Sequence, residues 1–254
     1  MTSTYRPYRA IHWIALCGVL FAHCDKSNSS DATPLDSRLA LVSEIELPFT
    51  EPSGIAYSEK LNRLWVVSGG DQKIYVLDTA GNVEKKLLFT GVDLEGITFD
   101  ATDSTLWVVD EATHEISHLD LDGNVLFQKS VPYSSSPNKG PEGITIGKDH
   151  RIHILNERDP SVLYELDATC EIVNSYQLDF ALDYSDVSYD SSLDSFFIIS
   201  DESQAFFVWS KKQGVTDRYF LSNAKNEGMA FDQKRSVFYI VNDAMSTLTI
   251  YARK

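Results

Sequence analysis

Acidic side chains recur at one place in a repeated motif. The motif reads Pro52-Ser-Gly-Ile-Ala-Tyr57, Leu94-Glu-Gly-Ile-Thr-Phe99, Pro141-Glu-Gly-Ile-Thr-Ile146, Ser185-Asp-Val-Ser-Tyr189 and Asn226-Glu-Gly-Met-Ala-Phe231. With Ser53, Glu95, Glu142, Asp186 and Glu227 taken as equivalent, the spacings are 42, 47, 44 and 41 residues. A second set follows downstream: Ser68-Gly-Gly-Asp71, Asp110-Glu111, Asn156-Glu157, Asp201-Glu202 and Asn242-Asp243. Carboxylates gathered in one place repel each other and lose hydration, so they take up protons or a cation. Many hard oxygen ligands without a His or Cys cluster select calcium over zinc or copper. The alternative is that the acids cap turns by accepting backbone N–H bonds. That role would favour Asp and Asn over the longer Glu.

Elements of regular spacing must hold these residues. About ten residues after each motif comes an apolar run: Arg63–Ser68, Leu106–Asp110, Ile152–Asn156, Phe196–Ser200 and Val237–Asn242. A further run follows each: Lys73–Asp78, Glu115–Asp120, Val162–Asp167, Ala205–Trp209 and Thr247–Tyr251. Short aromatic and β-branched runs between turn residues are strands. Ala80-Gly-Asn-Val83 and Asp122-Gly-Asn-Val125 form tight turns into a fourth strand. Each repeat is therefore a four-stranded antiparallel sheet, and sheets repeated at this period pack radially. The expected fold is all-β, a five-bladed β-propeller in one domain over residues 39–254. The last repeat carries three strands, and Leu39–Pro48 is the unpaired strand that would close it.

In such a ring the first strand of each blade lines the axis, and its start shares a face with the end of the second strand. Glu95, Glu142, Asp186 and Glu227 are thus the expected primary calcium ligands. Glu111, Glu157, Glu202 and Asp243 come second, and alternation along a strand lets at most one of Asp110 and Glu111 point inward. The first blade lacks an acid at both positions, which leaves that side open to water or a substrate. Arg158 is placed to neutralise a carboxylate. His114 is the histidine nearest the mouth and the one candidate base, with His118, His150 and His153 elsewhere on the blades.

Acids outnumber bases 37 to 22, for a formal charge of −15. That balance repels phosphate backbones and disfavours nucleic acid as a partner. Tyr5–Arg9 is basic and Ala10–Ala22 mostly apolar, the pattern of an export signal over residues 1–24. Leu20-Phe-Ala-His-Cys24 resembles a lipoprotein box with Cys24 as the lipidated residue, although His23 stands where Gly, Ala or Ser is usual. Cleavage by the ordinary signal peptidase is the other reading. Residues 25–38 are a polar tether. Cys170, left without a partner, is expected as a solvent-facing or half-buried thiol with no function.

Pro52-Ser-Gly-Ile, Asp93-Leu-Glu-Gly-Ile, Val109-Asp-Glu111 and Pro141-Glu-Gly-Ile resemble the SdiA-regulated family of bacterial extracytoplasmic proteins. The resemblance implies a five-bladed propeller, distantly NHL-like, with bound calcium; it implies no reaction. The leading expectation is a non-catalytic calcium-binding monomer of the cell envelope that binds a small ligand or an envelope protein. The alternatives are a calcium-dependent hydrolase of lactones or phosphoesters and a metal-free interaction scaffold.

Overall fold

The computed structural model describes residues 34–131 and 140–254, besides Met1. The segment expected to be an export signal, Cys24 and most of the expected tether lie outside the described residues. Among the described residues, twenty strands form five four-stranded antiparallel sheets. Blade one contains β2 (Pro52–Ser58), β3 (Arg63–Ser68), β4 (Lys73–Asp78) and β5 (Val83–Lys86). Blade two contains β6 (Leu94–Asp100), β7 (Thr105–Asp110), β8 (Glu115–Leu119) and β9 (Val125–Ser130). Blade three follows with β10 (Pro141–Ile146), β11 (Ile152–Asn156), β12 (Val162–Leu166) and β13 (Ile172–Gln177). Blade four has β14 (Asp186–Asp190), β15 (Ser195–Ser200), β16 (Ala205–Ser210) and β17 (Gly214–Phe220). Blade five joins β18 (Asn226–Asp232), β19 (Val237–Asn242) and β20 (Thr247–Arg253) to β1 (Leu39–Glu46), which pairs with β20 from Leu39↔Arg253 to Glu46↔Thr247. The ring is closed by that strand, as its sequence requires.

Five apolar clusters fill the seams between adjacent blades. Leu47, Phe49 and Val66 meet Tyr239 and Val241 where the last blade joins the first. Leu39 of the closing strand is buried with Phe206, Phe238 and Tyr251 in the seam between blades four and five. Each sheet is thus covered on both faces by its neighbours, which is what lets runs such as Phe196–Ser200 be buried throughout. Cys170 corrects the expectation made for it. The thiol is fully buried in the seam of blades two and three, beside Ile152, Val162 and Leu166. Its turn is drawn in by the Asp167 carboxylate, which accepts the Thr169 and Glu171 amides, and its φ of 56° is positive, as are those of Gly81 and Gly123 in the equivalent turns.

At the axis the innermost strands touch backbone to backbone. A Cβ on Gly54 would stand 2.2 Å from the Glu95 carbonyl oxygen, and one on Gly96 2.5 Å from that of Glu142. These positions admit no side chain without moving a blade. Beside them the ladder slips: two residues of β6, Glu95 and Gly96, fall between the pairs Leu94↔Asp110 and Ile97↔Val108. The same irregularity occurs at Ser53-Gly54, Glu142 and Glu227, and each bulge re-aims the residue before the glycine toward the mouth of the axis.

Candidate metal centre

Blade four pairs without that slip, Asp186↔Ile199 and Val187↔Ile198, and this changes the alignment. Asp186 occupies the glycine position, while Ser185 takes the place of the glutamates. The Asp186 carboxylate is buried and faces backbone rather than the cavity. Oδ1 accepts the Val187 amide at 2.8 Å and Oδ2 accepts the Met229 amide of blade five at 2.9 Å. Burial pushes its pKa well above the usual carboxylate range. The shift carries through to the second set, where Asp201, not Glu202, is equivalent to Glu111, Glu157 and Asp243. Glu202 sits one residue further on and pairs with Arg158 at 2.5 Å.

With that register, three positions per blade gather at the mouth, and all of them except Glu111 and Gly140 line a cavity of about 310 Å³ there. The inner one holds Ser53, Glu95, Glu142, Ser185 and Glu227. The outer one holds Gly69, Glu111, Glu157, Asp201 and Asp243. A third, two residues before the inner, holds Glu51, Asp93, Gly140, Asp183 and Lys225. In four blades the third residue's carbonyl accepts the outer residue's amide: Glu51 from Gly69, Asp93 from Glu111, Gly140 from Glu157 and Lys225 from Asp243. Blade four replaces that bond with side-chain acceptors, Ser185 Oγ for the Asp201 amide and Asp183 Oδ1 for that of Glu202.

Blade two alone carries an acid at all three positions. Ligand oxygens of Asp93, Glu95 and Glu111 lie within 4.8 Å of one another. Two oxygens on one calcium at about 2.3–2.6 Å can be no further apart than roughly 5 Å, so the spacing of the three is compatible with a shared ion. Glu142 stands next to them. Burial, then Asp93 and Glu111, push Glu95 up to about 8. Burial, then Glu95 and Glu111, raise Glu142 well above its usual range. Asp93 is raised by burial and by Asp110, and Glu111 by burial. Across the mouth, burial and Asp201 push Glu227 up to about 7.

Glu111 also accepts the Gly140 amide through Oε1 at 2.7 Å, and most of the other acids have partners too. Asp110 holds its loop, accepting the Val92 amide at 2.6 Å and the Thr113 amide at 3.1 Å, so Glu111 is the one of the pair that faces inward. Glu157 bonds Arg158 at 2.8 Å, and Asp201 bonds Lys225 Nζ at 2.6 Å. Asp243 lines the cavity wall. His114 lies in the turn with Glu111, donating its amide to the Glu111 carbonyl at 3.4 Å, but does not line the cavity. Asp93, Asp183 and Asp201 were not among the expected ligands. Asp93 and Asp183 share a spacing of two residues before the inner position, the signal that could have found them.

A family model described as SdiA-regulated matches residues 42–244. No curated protein matches the sequence. Among solved structures, the chain is similar to a gluconolactonase, XC5397 from Xanthomonas campestris, at a TM-score of 0.60 and 12% identity, covering 83% of this chain and 88% of that one. It is similar also to a luciferin-regenerating enzyme at a TM-score of 0.55 and 11% identity, covering 84% and 94%. A streptogramin B lyase matches at a TM-score of 0.52 and 17% identity, covering 85% and 74%. Likeness at these identities is likeness of fold.

Proposed function

The chain belongs to the SdiA-regulated family, and from that premise we propose that it is a non-catalytic calcium-binding propeller of the cell envelope. The observation that carries the reading is the convergence of Asp93, Glu95 and Glu111 within 4.8 Å beside Glu142. Oxygen donors alone form the set, which suits a hard cation and not zinc or copper. Asp93, Glu95, Glu111 and Glu142 would hold the ion; Glu227 and Asp243 stand across the mouth. Blade one presents Ser53 and Gly69 there, the open side where a small ligand or an envelope protein would enter. The acidic rim favours basic groups on that partner.

Calorimetric titration of the purified propeller with calcium tests the site. Saturable binding that Glu95→Gln weakens is expected; no heat from calcium and no change of melting temperature with chelator would refute it. A hydrolase built on the same ion would need a proton acceptor beside it, and His114 does not line the cavity. Lactone and phosphoester panels with and without calcium separate the two readings. Tethering through Cys24 is part of the proposal and rests on the basic and apolar run before it. Labelled palmitate should enter the protein and not its Cys24→Ala variant.

A further inference from the structure

At the opposite end of the blades one cleft carries the reverse charge. Lys148 follows β10 at the end remote from Glu142, and Arg151 precedes β11. Lys211 and Lys212 occupy the turn between β16 and β17. These four bases line a cleft of about 530 Å³ between blades three and four, with Glu165 and Asp194 as its acids. Four bases against two acids is a local excess of two positive charges on a chain of net −15.

The acids are largely engaged. Glu165 takes Lys211 at 2.7 Å and the Tyr176 hydroxyl at 2.8 Å, and Arg151 approaches it only to 3.9 Å. Asp194 accepts the Tyr189 hydroxyl at 2.7 Å and has Lys148 at 3.9 Å. Lys212 is exposed and has no ion pair among the described residues. Arg151, Lys148 and Lys212 therefore have charge to offer a guest. One wall is apolar: Leu193, half exposed, stands with Tyr189 and Phe196. The volume lies within the range of small-molecule sites.

We propose that this cleft binds a phosphate monoester carried on an apolar or aromatic body. A monoester carries close to two negative charges at pH 7, with three oxygens for Arg151 and the lysines. Its apolar part would lie against Leu193 and the rings. The site is independent of the calcium reading, because it shares no residue with the acidic mouth.

Phenyl phosphate is the probe, titrated into the full chain in calcium-free buffer at low salt. Saturable binding is expected, tighter than for inorganic phosphate, and weakened at least tenfold in the double variant Lys148→Glu, Lys212→Glu. A thermal melt of that variant should match the parent; if it melts early, Lys212→Ala alone should still lower the affinity. Absence of saturable binding by the parent, or an unchanged affinity in a folded variant, would overturn the proposal. So would association with phosphatidylglycerol vesicles and none with phenyl phosphate, which would make the cleft a lipid phosphodiester site.

Discussion

Asp93, Glu95 and Glu111 are costly neighbours without a counterion. A carboxyl with a raised folded pKa holds its proton longer in the folded than in the unfolded chain, so stability falls as pH rises between the two values. For Glu95 that window runs from 4.5 to about 8, and for Glu227 from 4.5 to about 7. His153 acts oppositely: burial holds it at about 4 against an ordinary 6.5, so its slope lies at lower pH. The melting temperature of calcium-free protein should therefore drop between pH 6.5 and 8.5, and saturating calcium should flatten the drop. Calcium affinity should rise over the same range, since binding displaces protons. Differential scanning calorimetry in chelator and in calcium checks both. Asp186 makes the contrast. Asp186→Asn leaves one of two buried amides without an acceptor and should lower stability by about 1–3 kcal/mol in urea unfolding. Its calcium affinity should match the parent.

At the scale of elements, bulge and glycine act together: the glycine lets two inner strands touch, and the slipped residue is turned to the cavity. Gly96→Ala would press a methyl against the Glu142 carbonyl. A loss of about 1–3 kcal/mol, typical of overpacking, is expected in chemical denaturation, with weakened calcium binding because Glu142 moves. Much of this was legible in the chain. Glu-Gly-Ile repeats and Asp-x-x-Gly-Asn turns mark strands one and four, and the missing strand of the last repeat points to Leu39–Pro48. The sequence alignment of blade four is off by one residue because Asp186 replaces the glycine that registers the other blades, which sets Ser185 level with Leu94, Pro141 and Asn226. Asp93 and Asp183 escaped because they lie in loops before the strands, where no apolar alternation marks a face. Cys170 escaped because a polar turn hides a side chain that the backbone tucks inward.

For the whole molecule, closure by β1 makes blade five dependent on residues from both ends of the fold. Removing Leu39–Pro48 should expose the edge of β20 and take Leu39 and Leu47 from two seams. Aggregation or a much lower melting temperature is expected, read by light scattering during a thermal ramp. Calcium should stabilise the intact ring by mass action, by about 2.7 kcal/mol at a hundredfold excess over its Kd.

That closure also orders events during synthesis. The ribosome makes β1 first among the strands, and its partner Thr247–Arg253 last. Until then the early strand has unpaired backbone edges and cannot join its own sheet. Blades one to four can assemble from local hairpins as they emerge, but the ring locks only once β20 has been made. A pairing this distant in sequence is slow to form, so four blades wait, each already paired within itself, on one contact between the first strand made and the last.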